Sequence, residues 1–343
     1  MRIDRFNLQT MLNGLVFGLF VFCGTVFGKD EAMLKSSKNV IEPAHLVATF
    51  SIVAADPEAG EVGVAVASRF FSVGSVVPWA AADIGAVATQ AFANTSFGWR
   101  GLDLVEIGLT PKEALDVLIR NDDDPAKRQV GVVSADGQSA TYTGENCVPW
   151  AGGRNGENYA VQGNILTGED VVIAMEKAFL ETKGTLAERM YAALLAGNAK
   201  GGDSRGKQSA AMVVAKAGAG YGGYTDRAID IRVDDHAEPF KELGRLLNIA
   251  QMNYSWNEAW TLFTQKAFEA ALPPMERTAK IAPDYPEVLY DLAVIRLANG
   301  DKTGALKALQ KAIKINPKLK KQAAADKDMT ALNGDKNFEQ LVQ

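Results

Sequence analysis

Two hydrophobic patterns alternate along the chain from residue 49 to about residue 237. Thr49–Ala55 and Glu61–Ser68 are apolar and β-branched, and the "DPEAG" between them carries the Asp, Pro and Gly of a tight turn. The pair predicts a hairpin. "IGAVATQAF" (84–92) predicts a third strand. The apolar spacing then shifts to the helical period. "GLDLVEIGL" and "TPKEALDVLIRN" predict two helices; the second opens with Thr110 as N-cap, Pro111 at the first helical position and Glu113 completing a capping box. The cycle then repeats. "RQVGVVSADGQSATYTG" predicts a hairpin about Asp136-Gly137, and "NYAVQGNIL" a strand running into a loop. Residues 169–182 and 186–197 predict two more helices, the latter capped by Thr185 with Glu188 three residues on. "QSAAMVVAKA" and "RAIDIRVD" predict closing strands that end near Asp235.

Hairpins imply antiparallel sheets. Strands that are apolar at nearly every position imply burial on both faces. Two antiparallel sheets packed together, with helices outside each, satisfy both conditions. The predicted architecture is therefore α+β, a four-layer αββα sandwich over residues 48–237.

Beyond residue 237 every pattern is helical. Pro283 in "AKIAPDYPE" and Pro317 in "AIKINPKLK" stand 34 residues apart. Between them Leu289, Leu292, Ala293, Ala305, Leu309 and Ala312 take the packing positions of a tetratricopeptide repeat, at about 286–317. A weaker helical pair precedes it, and "DKDMTALNGDKNFEQLV" reads as a terminal helical cap. One such repeat cannot form a solenoid alone, so residues 238–343 should lean on neighbouring helices and offer a surface for a protein partner.

The amino terminus differs from both regions. Arg2 and Arg5 precede an apolar run from Gly14 to Gly28, short and glycine-rich for a membrane span. It fits a secretory signal over residues 1–28, cleaved after Gly28, with an uncleaved anchor as the other reading. The bulky Phe22 argues against lipidation of Cys23. Export to the periplasm or outside the cell is therefore expected, with no transmembrane span in the mature chain. Residues 29–47 are polar and weakly patterned, as in a linker.

Composition changes this picture little. The chain has 343 residues and a net charge of −5, so clustered excess cation for nucleic acid is not expected. Only Cys23 and Cys147 occur, so removal of the signal leaves no intramolecular disulfide. No zinc-type spacing of Cys and His is present, and no metal or cofactor is expected.

Several stretches together carry a resemblance: "TFSIVAADPEAGEVGVAVASRFF", "VPWA", "GAVATQAFANTSFG", "RQVGVV", "CVPWAGG", "YAVQGNIL", "GGDSRGKQSAA" and "DIRVDDH". In this order they resemble the DUF1028 family, whose members are described as Ntn-hydrolase-like. The resemblance implies the αββα sandwich reached above and leaves the substrate open. It also implies that Thr49 is a nucleophile whose own freed α-amine serves as base; such an amine titrates near 7.7–8.0. A peptide nitrogen is not a base, so Thr49 can act only after a cut between Ala48 and Thr49. Otherwise Thr49 is a strand residue chosen for its β-branch.

The resemblance to threonine hydrolases also directs attention to Ser68, where those enzymes carry an acidic residue, and to Asp203 and Ser209 as supports of the nucleophile. No lysine stands in "VPWAAADIGAVATQ" to tune the threonine. Arg69 and Arg205 can bind a substrate carboxylate, or pair locally. In "QGNIL", Gly163 permits unusual φ, and the N–H groups of Gln162, Gly163 and Asn164 can face an oxyanion, or make a tight turn. "VDDH" (Asp234, Asp235, His236) reads as a helix cap before a cation site, and Cys147 as a small apolar residue. Trp79 and Trp150, each beside a proline, line a pocket or simply pack. The expected substrate is a small molecule or peptide bearing an amide; the alternative is a non-catalytic ligand-binding or envelope-assembly protein. Oligomeric state is not legible.

Overall fold

A computed structural model describes residues 46–47 and 49–343. The predicted signal segment and most of the predicted linker lie outside the described residues.

Among the described residues, eleven strands form two sheets. The first contains β1 (Leu46–Val47), β4 (Pro78–Ala81), β5 (Gly85–Phe92), β6 (Arg128–Ser134) and β7 (Ser139–Thr143). The second contains β2 (Thr49–Asp56), β3 (Glu61–Ser68), β8 (Gly152–Gly156), β9 (Tyr159–Gly163), β10 (Ser209–Ala215) and β11 (Arg227–Val233), in the order β11-β10-β3-β2-β9-β8. Every pairing between named strands is antiparallel.

Along β2, Phe50, Ile52 and Ala54 enter a core with the helices α3 (Asp170–Glu181) and α4 (Leu186–Ala199). Val53 and Ala55 enter a second core between the sheets, with Val64 and Val66 of β3 and Ala211 and Val213 of β10. Burial of both faces is the reason the strands read as unbroken apolar runs. A third core lies between the first sheet and helices α1 (Ser96–Glu106) and α2 (Pro111–Arg120), built on Val87, Phe97, Leu118, Val130 and Val132. The layers are thus α1–α2, first sheet, second sheet, α3–α4, which is the predicted αββα sandwich. Both predicted capping boxes are present, with the two reciprocal bonds formed at Thr110–Glu113 and at Thr185–Glu188.

Three strands were not foreseen. β1 falls within the residues read as linker and pairs with the end of β5, Leu46 opposite Phe92 and Val47 opposite Ala91. β4 is only four residues long. β8 is "GGRNG", with no β-branched residue; it is held by its ladder to β9 across the Glu157-Asn158 turn, where Asn158 takes a φ of 71°.

The tail comprises α5 (Pro239–Thr264), α6 (Phe268–Ile281), α7 (Pro286–Ala298), α8 (Lys302–Ile315), α9 (Leu319–Ala325) and α10 (Lys336–Val342). α7 and α8 are the predicted repeat, and Leu289, Leu292, Ala293, Ala305, Leu309 and Ala312 are all in its core. At the boundary predicted near residue 237 the chain turns directly into a long helix. α5 is one helix of 26 residues, about 39 Å long. Its first turns place Phe240, Leu243 and Leu247 in the sandwich core, while Trp256, Ala259 and Trp260 belong to the core of the tail. The two indoles, one turn apart, both donate to Asp291 Oδ2 of α7 at 2.7 Å. No helix among the described residues is long and apolar enough to cross a membrane.

Candidate functional site

Strand register sets the site. Thr49 lies opposite Ser68, and Ser68 lies opposite Ser209, so three hydroxyl residues form one row across β2, β3 and β10. Side chains alternate along a strand. Thr49 and Ser51 therefore share the face of Val53, Ser68 that of Val66, and Ser209 that of Ala211, all between the sheets. All three are buried: Thr49 0%, Ser68 2%, Ser209 0% exposed. The chain reaches this row from the other sheet, because β1 pairs in the first sheet and β2, two residues on, pairs in the second. Thr49 thus begins its strand where the two sheets meet.

The Thr49 carbonyl accepts from the Asn164 N–H at 3.0 Å and from Gln90 Nε2 at 3.3 Å. Gln90 is part of a buried polar network linking the sheets. It accepts from Ser51 Oγ at 2.6 Å and donates to Gln129 Oε1 at 2.8 Å. Gln129 donates to the Gly163 carbonyl at 2.7 Å and to Thr143 Oγ1 at 2.9 Å, and accepts from Asn164 Nδ2 at 3.0 Å. Gln162 Nε2 donates to Ser51 Oγ at 2.6 Å. Gly131 of β6 stands where the Gln162 amide crosses, and a Cβ there would collide with it. Gln90, Gln129 and Ser51 were missed in the sequence. Their signal was a polar residue inside each of three apolar strands, where a lone buried amide or hydroxyl would be costly without partners.

A second cluster closes the strand ends. Asp203, 3% exposed, accepts from the backbone N–H of Arg69 at 2.9 Å and of Arg205 at 3.0 Å. It also pairs with the Arg205 guanidinium at 2.9 Å. Arg69 Nη1 donates to the Arg205 carbonyl at 2.7 Å. The local pairing expected as the alternative for this loop is therefore formed. Ser209 Oγ donates to the Phe70 carbonyl and accepts from the Val73 N–H, pinning the chain after β3. A cavity of about 220 Å³ lies alongside, lined by Phe50, Ser68, Asp203, Gly206, Lys207 and Phe240 among others.

The structure thus brings Thr49, Ser68, Ser209, Asp203, Arg69 and Arg205 to one end of the second sheet, with Gln162, Gly163 and Asn164 on β9 and just beyond it. The φ argument for Gly163 does not hold. The left-handed residue of "QGNIL" is Ile165, at 54°, and Gly163 instead makes room for Leu166. The Asn164 N–H is taken by the Thr49 carbonyl, and the Gln162 side chain by the network.

The other singled-out residues act structurally. Cys147 is buried, and burial pushes its thiol up. In "VDDH", Asp234 accepts from Ser72 Oγ and Asp235 from Gln208 Nε2. His236 Nδ1, rather than either Asp, receives the Glu238 N–H at the start of α5. No group of three His, Cys, Asp or Glu among the described residues can hold a metal ion. Trp79 donates to the Val76 carbonyl and Trp150 packs on the sandwich core.

An αββα sandwich with a threonine heading a strand of the second sheet, followed by tetratricopeptide-like helices, defines the class. Residues 49–243 match the model of the DUF1028 family, a family of unknown function, and residues 262–325 match a tetratricopeptide-repeat model. The chain belongs to the DUF1028 family. It is also similar to a crystal structure of a DUF1028 protein from Silicibacter pomeroyi, at 30% identity and a TM-score of 0.54. That match covers 60% of this chain and 89% of the other. Comparison with curated proteins finds no match.

Proposed function

We propose that the sandwich is a latent amide hydrolase, activated when the Ala48–Thr49 bond is cut. One observation carries this reading: Thr49 heads the row Thr49–Ser68–Ser209 at the point where the chain passes from one sheet to the other. A cut there creates an α-amine on the residue that bears the hydroxyl. The amine takes the Thr49 Oγ1 proton as the oxygen attacks a substrate carbonyl, then returns it to the leaving nitrogen as the C–N bond breaks. Water next hydrolyses the Thr49 ester, and the hydroxyl is restored. The bonds from Asn164 and Gln90 to the Thr49 carbonyl hold the new chain end in place. Asp203 pairs with the Arg205 guanidinium and orders the loop, and the exposed Arg69 guanidinium beside it suits a substrate carboxylate. The substrate class is an amide in a small molecule or cell-envelope fragment, met after export directed by residues 1–28.

A second reading is favoured by the burial of Thr49, which is 0% exposed within the uncut chain. On it the sandwich binds a ligand or supports assembly without catalysis, and the helical tail recruits a protein partner. Thr49→Ala separates the two. On the hydrolase reading, the substituted chain has no activity toward an amide that the native protein cleaves. Equal activity of the two chains would reject Thr49 as nucleophile.

A further inference from the structure

A cavity lined by charged residues lies at the opposite end of the second sheet from Thr49, between the sandwich and the tail. It measures about 700 Å³, within the usual range for small-molecule sites. One wall is the β2–β3 turn and the start of β3; Lys216, one residue beyond the Ala215–Val62 pair, stands beside Glu61. The other wall comes from α5 and α6, with Tyr254, Glu258, Arg277 and Lys280.

Most charges in the cavity are already paired. Asp56 meets Arg189 at 3.8 Å, Glu258 meets Arg277 at 2.8 Å, and Glu188 caps α4. Four groups are left over. Among the described residues, the side chains of Glu61, Lys216, Lys280 and Tyr254 make no hydrogen bond or ion pair. They leave one carboxylate, two ammonium groups and one phenol facing a common space. Burial pushes the Glu61 carboxyl up, with Lys216 pulling partly back, and burial likewise pushes the Tyr254 phenol up. A partly desolvated carboxylate without a direct partner gains most from an incoming cation.

We propose that this cavity binds an amino-dicarboxylate, an acidic amino acid or a short peptide ending in one. Its amine meets Glu61, its two carboxylates meet Lys216 and Lys280, and Tyr254 supplies a further hydrogen bond. Because the walls belong to the sandwich and to the tail, such a ligand bridges the two. The inference is independent of whether Thr49 is ever released.

The test is calorimetric titration of the full chain at neutral pH and low salt with L-glutamate and with alanylglutamate. N-acetyl-L-glutamate, L-glutamine and L-lysine serve as probes altered at one end. Binding by either of the first two is expected, with each altered probe weaker by about tenfold or more, the effect of losing one charged hydrogen bond. Glu61→Gln should abolish the preference over N-acetyl-L-glutamate. Lys216→Met and Lys280→Met should each weaken glutamate or alanylglutamate by a similar factor. Lys280 is exposed, so its substitution leaves the fold intact, and melting curves check the other two. No binding of either probe at millimolar concentration, equal binding of the altered probes, or indifference to all three substitutions would overturn the proposal.

Discussion

Single residues carry opposite kinds of legibility in this chain. Thr49 and Asp203 stood out as residue types, yet their neighbours Gln90 and Gln129 did not. A glutamine inside an apolar strand reads as an interruption until the facing sheet is known. Only the register shows that Gln90 and Gln129 from one sheet meet Gln162 and Ser51 from the other. Glu61 was legible as a strand start and nothing more. Burial raises its folded-state pKa, so its protonated form is favoured in the folded protein. Stability tied to that proton is complete at low pH and is lost as pH rises through the raised pKa. Glu61→Gln is therefore expected to melt higher than the native chain near neutral pH, with the gap closing as the pH falls to about 4, near the ordinary glutamate value. Thermal melts across that interval check the sign; a native chain that is the more stable at neutral pH would reverse it.

At the scale of elements, hairpins and helices were read from turn residues and capping boxes, because those signals are local. β1, β4 and β8 escaped for the reason that each is held by its partner strand rather than by its own composition. The division at residue 237 marks where the helical pattern takes over, which is likewise a local signal. A local signal does not show that the first helix beyond it, α5, is shared between two cores. Its junction with α7 rests on Asp291, which accepts both indole N–H groups. Asp291→Leu leaves two half-buried donors without their acceptor and is expected to lower unfolding free energy by about 2 kcal/mol. Denaturant unfolding followed by tryptophan fluorescence measures it, and an unchanged midpoint would show that the indoles find other acceptors.

The described residues form an αββα sandwich braced by a tetratricopeptide-like tail, and α5 is the brace. A chain ending at residue 237 would lose Phe240, Leu243 and Leu247, each 5% exposed or less. At about 1.5–3 kcal/mol for each buried side chain, that loss is a large part of a domain's stability. A chain ending at 237 should be markedly less stable than one ending at 264, read from their urea midpoints; equal midpoints would show that the brace contributes nothing. The fold class was legible because every strand but the edges announced its burial. The site was legible only as a set of residue types, since its geometry depends on which sheet each strand joins. The strand entering at β1 makes the bond before Thr49 the decisive one. Amino-terminal sequencing of the protein isolated from its own cells tests this most directly. A chain beginning at Thr49 is expected; chains that all begin upstream, with the Ala48–Thr49 bond intact, would contradict the hydrolase account.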